Sequence, residues 1–144
     1  LQAMNKLDEM QKKVEEELDK QKKDSIRAAL VKIRDDQDKL NKTTIDIDKS
    51  PRNDDGSFKR EQAATLNGLP GEQGKLVERT NGVGESLESM GGIVYVWAVK
   101  DVSETMTSVK DLLAKPETGP VVQIDQAKIV EQLNAMIESL KSEP

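Results

Sequence analysis

Along four stretches of this chain the apolar residues advance by alternating steps of three and four. Ile26, Leu30, Ile33 and Leu40 open the pattern, with Gln37 and Thr44 in the same phase. Leu69, Gln73, Leu76, Thr80, Val83, Leu87 and Met90 repeat it, as do Tyr95, Val99, Val102, Met106, Val109 and Leu113. Val122, Gln126, Ile129, Leu133, Met136 and Leu140 give the last copy. Such spacing holds one face of a helix against near-parallel neighbours. The pattern predicts an all-α fold, an antiparallel four-helix bundle with a long first helix. The helices are expected near 2–47, 58–90, 93–114 and 120–142.

The residues between stripes suit connections. DKSPRNDDGS (48–57) carries the Pro, Asn, Asp and Gly of a loop, Gly91-Gly92 is a tight break, and KPETGP (115–120) sets Pro120 at the start of the fourth helix. Short connections make consecutive helices antiparallel. IVYVWAV (93–99) has the β-branched and aromatic content of a strand. Its Tyr95 and Val99 nevertheless run in phase into Val102 and Met106, and no other segment offers a strand partner. It reads as helix. Gly68, Gly71, Gly74, Gly82, Gly84 and Pro70 weaken the second helix, and a kink or short break is expected near 68–70.

Folding each hairpin about its loop centre sets the expected layers. Gln73 and Gln126 then share a layer with Ile33 and Val109, while Gln37 occupies another. Met90 falls level with residue 15. The first helix should therefore outrun its partners by roughly 13 residues, about 20 Å. Residues 1–17 are read as a protruding part of helix one and 18–144 as the bundle. The apolar residues of the overhang, Met4, Leu7, Met10 and Val14, depart from the strict seam. Asp8–Lys12, Glu9–Lys13, Glu16–Lys20 and Asp19–Lys23 stand acid-before-base at i,i+4, a spacing that supports a solvated helix.

A phrase recurs: DQDKLNKTT (36–44), EQGKLVERT (72–80) and, more loosely, DQAKIVEQL (125–133). Each copy puts Gln on the seam. A seam amide either bonds across helices and fixes register, or lies at the seam's edge with its amide in water. Neither is catalysis.

Composition narrows the function classes. Of the 144 residues only 2% are aromatic, so a core must be aliphatic, which suits packed helices. The net charge is −5 with acids and bases interleaved, and no basic face is concentrated for nucleic acid. Cys and His are absent, which removes thiol chemistry and the commonest zinc and general-base ligands. No apolar run is long enough to span a bilayer, and LQAMNKLDEM lacks a signal peptide's apolar core. Membrane attachment is expected only through a segment outside this chain.

Three motifs invite chemistry and fail. LPGEQGKL (69–76) places Gly74-Lys75 as in a phosphate-binding loop. Leu69 and Leu76, however, stand where that loop needs Gly and Ser or Thr. GVGES (82–86) lacks the third glycine of a dinucleotide fingerprint. In NDDG (53–56) the residue five before Gly56 is Pro51, not the acid of a calcium loop, so a solvated turn is expected. Asp35 and Asp36 point in different directions on a helix and form no catalytic pair. No catalytic, cofactor-binding or metal-ligating residue is assigned, no cofactor is expected, and the chain is read as not an enzyme.

The segment DVSETMTSVKDLLAKPETGPVVQIDQAKIVEQLNAMIESL (101–140) resembles part of uncharacterised helical proteins of planctomycete-type bacteria. The shared features are the Thr118-Gly119 turn followed by Gln123, Gln126, Ile129, Leu133 and Ile137. Gln37, Leu40 and Thr44, with Gln73, Leu76 and Thr80, are similar to that group's paired Q-x-x-L-x-x-x-T helices. Because those proteins tend to be long and attached to the cell envelope, the resemblance implies a helical module of an envelope or periplasmic protein. A cytoplasmic place remains compatible with the chain.

The expected function is a non-enzymatic structural or protein-interaction module, part of a larger envelope-associated protein, with a protein partner or self-association through helix faces. The alternative is a soluble partner-binding regulator or chaperone-like bundle. No nucleic acid and no small-molecule substrate are expected.

Overall fold

A computed structural model describes residues 2–141 of the chain, with side chains from Asn5 onward. Four helices account for nearly all of it: α1 (Gln2–Lys49), α2 (Arg60–Ser89), α3 (Ile93–Ala114) and α4 (Pro120–Ser139). Among the described residues no strand forms, and the only extended pairing is the isolated Arg52–Phe58 bridge in the first loop. Residue 142, where the fourth helix was expected to end, and Met4's side chain lie outside what the structure describes.

The expected stripes are the core. Leu30, Val102, Met106, Val109, Val122, Ile129 and Leu133 are essentially sealed from solvent. Burying each such side chain is worth about 1.5–3 kcal/mol, so the aliphatic seams carry the stability. Met90 and Tyr95, at the stripe ends, are half-buried, and Leu66, Ile47 and Ile137 extend the stripes. Each helix packs on its neighbours in chain order, and α1 also closes onto α4, so the four form a ring.

The polar contacts on the flanks give the register. Val99 lies against Gly84, Ser103 Oγ donates to Asn81 Oδ1 at 2.7 Å, and Lys110 lies beside Gly74, so α2 and α3 run antiparallel. Gln132 Nε2 donates to Asp101 Oδ2 at 2.8 Å between α4 and α3. Arg34 Nη1 donates to Asn134 Oδ1 at 3.0 Å between α1 and α4.

The break expected at 68–70 does not occur. α2 runs through Pro70 as one helix, with Leu66, Leu69, Gln73 and Leu76 buried on both sides of it in unbroken phase. An interior proline costs about 3 kcal/mol, which the burial of those neighbours offsets. Breaking the helix would turn half of that stripe toward water.

The first hairpin differs from its expected register by one turn. α1 reaches Lys49 and α2 starts only at Arg60, so the loop centre shifts toward the C-terminus. Gln37, not Ile33, faces Gln73. Met90 shares a groove with Leu18, Gln21 and Lys22 rather than with residue 15.

Candidate functional site

Two features stand out: a polar cluster sealed inside the bundle, and an uncovered face along α1. The cluster begins with Gln37 and Gln73, both fully buried, whose amides exchange two hydrogen bonds. Gln37 Nε2 donates to Gln73 Oε1 at 2.9 Å, and Gln73 Nε2 donates to Gln37 Oε1 at 2.7 Å. Gln37 Nε2 also donates to Asn41 Oδ1, and Asn41 Nδ2 donates to the carbonyl of Gln126 at 3.0 Å. Gln126 Nε2 in turn donates to Thr44 Oγ1, which donates to the Leu40 carbonyl. A chain of amides and hydroxyls thus links α1, α2 and α4 through the middle of an aliphatic core.

The seam glutamines therefore bond across helices and do not lie in water. The expected layering is corrected: Gln37, not Ile33, shares the layer of Gln73, and Gln126 is tied to Asn41 and Thr44. Asn41 is hard to read from the sequence because it sits one residue off the Leu40 stripe. Its signal is the i,i+4 spacing from Gln37. Oε1 of Gln126 is buried with no protein partner.

A second polar clasp closes the far end. Thr118 Oγ1 donates to Asp48 Oδ1 at 2.9 Å, and Gln123 Nε2 donates to both Asp48 Oδ2 and the Thr118 carbonyl. The Thr118-Gly119 turn is thereby pinned to the end of α1. In the first loop, Arg52 stacks 3.9 Å over the Phe58 ring.

The motifs that failed in sequence have other occupations. Gly74 packs on the Lys110 stem, with Lys75 exposed. Asp55 Oδ1 accepts from the Ser57 amide and hydroxyl, and Gly56 turns the chain at φ 85°. Those Ser57 bonds hold the Asp55 carboxyl below its ordinary pKa. Asp35 pairs with Arg34 and Asp36 with Arg79 at 2.7 Å, on different sides of α1. The hydrogen bond from Arg79 is the main cause of a lowered Asp36 pKa, with Lys32 and Lys39 adding to it. Among the described residues no group of three or more acidic side chains converges as a metal site, and no helix is long and apolar enough to cross a membrane.

The uncovered face lies on α1 before the bundle begins. Leu7, Met10, Val14 and Leu18 are 63%, 62%, 58% and 49% exposed. Leu7, Val14 and Leu18, with Gln11, Gln21 and Ser25, form a second seam: 7, 11, 14, 18, 21 and 25 step by four and three. Ser25 precedes Ile26, the first core residue, so this seam is turned by about 100° from the core seam. It is not the bundle stripe prolonged. The four expected stalk ion pairs are not closed in the structure. Long side chains in open water gain little from holding one geometry.

Other exposed apolar residues cluster at Ile93, Val94 and Trp97, at the same end of the bundle as the overhang, and at Val121 and Ile124. Comparison of the chain with family models, with curated proteins and with solved structures found no match.

Proposed function

We propose that this chain is a non-enzymatic helical module for protein interaction, spacing or docking parts of a larger envelope-associated protein. The bundle is its rigid body and the N-terminal part of α1 its contact element. One observation carries this reading: Leu7, Val14 and Leu18 stand on a regular seam and more than a third exposed, where isolated exposed apolar residues would be scattered. The polar groups inside the bundle point the same way. Their hydrogen bonds are spent on one another, as suits a part whose polar core fixes geometry.

The envelope setting rests on the resemblance of residues 101–140 to planctomycete helical proteins. The alternative, a partner-binding regulator, draws on the Ile93, Val94 and Trp97 patch. Photo-cross-linking in the native cells separates the two. A photoreactive residue at Val14 should give a protein adduct, whereas one at Lys42, exposed about 40 Å further along α1 on the bundle itself, should not. Adducts from Trp97 and none from Val14 would transfer the contact role to the patch.

A further inference from the structure

The second seam of α1 does not stop where the bundle begins. Beyond Ser25 it continues through Ala29 and Lys32, and there it becomes one wall of a groove between α1 and α2. Gly82 and Ser86 form the opposite wall, and toward the overhang the groove continues past Leu18, Gln21, Ser89 and Met90. The large apolar residues of the seam thus lie on the overhang, and the small ones line the groove. Both lie on one side of the molecule, at adjoining heights.

We propose that the occupant of this groove is the overhang of a second copy of the chain. A two-fold axis near Leu18–Gln21 lays two α1 helices antiparallel, each overhang in the other's groove. The interface is then isologous, and both copies are satisfied at once. This inference rests on the reading of α1 as the contact element.

Two features select a second copy. The first is size: Val14 comes opposite Ser25, and Gln11 opposite Ala29, so large side chains meet small ones and the helices can approach closely. Leu7 comes opposite the aliphatic stem of Lys32. The second is length, since from Leu7 to Leu18 and from Gln21 to Lys32 the seam runs the same distance, roughly 17 Å at 1.5 Å per residue. Charge is balanced: the axis sets Glu15 of each copy beside Lys22 of the other, giving two complementary pairs. On the other flank it sets Glu17 of each copy beside Asp24 of the other, two like-charge pairs that offset these. The seam is short and only partly apolar, below a standard stable interface in size, so a reversible dimer is expected.

The chain contains no cysteine, so introduced thiols report without background. Val14→Cys and Ser25→Cys proteins, mixed and oxidised, should give the Val14–Ser25 heterodisulfide in excess over either homodisulfide. At about 100 µM, sedimentation should show a doubling of the 16.0 kDa mass. Gly82→Gln, which fills the groove at a position with open space around it, should weaken the association at least tenfold without loss of helix content. Val14→Glu should do the same from the overhang. A dominant Val14 homodisulfide would mean parallel overhangs and would overturn groove docking while leaving α1 as the contact element. A monomer at every concentration, with Val14 cross-linking in cells only to chains of other mass, would overturn the second copy but keep the module. A monomer with no Val14 adduct at all would remove both.

Discussion

Gln73 and Gln126 look equivalent in sequence, yet the structure gives them opposite energetic roles. Both of Gln73's amide atoms bond to Gln37. Replacing it by Met strands the Gln37 carbonyl oxygen in the core and should cost about 1–3 kcal/mol by chemical denaturation. Gln126 already leaves Oε1 without a protein partner. Its neighbours keep bonds that do not need its side chain, since Asn41 bonds the Gln126 backbone carbonyl and Thr44 bonds Leu40. Gln126→Met should therefore be neutral or stabilising. Equal losses from the two substitutions would contradict the network's wiring.

Asp36 makes a prediction in pH. Arg79 holds its carboxyl below the ordinary 3.8, so its folded pKa is depressed relative to the unfolded chain. The pair therefore supports the fold above that value, and the support is lost as pH falls below it. The stability difference between wild type and Arg79→Leu should be largest near neutrality and shrink in acid. A difference unchanged between about pH 6 and about pH 2.5 would show that Arg79 acts through packing instead.

At the scale of the elements, α2 tolerates its glycines for different reasons. A Cβ at Gly84 would come within 3.2 Å of Val99 Cγ1, so this glycine permits the close approach of α2 and α3. Gly68 has open space around it, and there the glycine only weakens the helix. Gly68→Ala should raise stability by about 0.5–1 kcal/mol, whereas Gly84→Ala should gain less or lose. Thermal unfolding of the two variants checks the order. For α1, the exposed overhang implies that removing residues 1–14 leaves the melting temperature of dilute protein nearly unchanged. A loss of about 1 kcal/mol would lower it by roughly 2–4 °C in a chain of this size, and a fall of many degrees would place the overhang in the core.

For the whole molecule, the four stripes were legible because aliphatic seams at a 3.6-residue period leave little alternative to a bundle. Heights along α2, α3 and α4 were legible too, since those connections are short: Val99 meets Gly84 and Gln132 meets Asp101. The first loop is longer, and its Pro, Asn and Gly do not mark where helix stops. A shift of about two residues at each of its ends moved every level on α1 by a turn, which is why Gln37 was placed away from Gln73. The overhang's exposure was expected from lengths alone. Its rotated seam was obscured by two glutamines among the apolar residues, and the groove that continues it depends on how α1 and α2 pack.

The central claim is that one continuous helix serves two ends, core pillar after Ile26 and contact element before it. Hydrogen exchange along α1, measured on dilute and concentrated protein, tests this most directly. Amides in 26–49 should exchange slowly at both concentrations. Those in 5–21 should exchange rapidly when dilute and become protected when concentrated, as the second seam is covered. Protection of 5–21 equal to that of 26–49 in dilute protein would contradict the division of α1 into two parts.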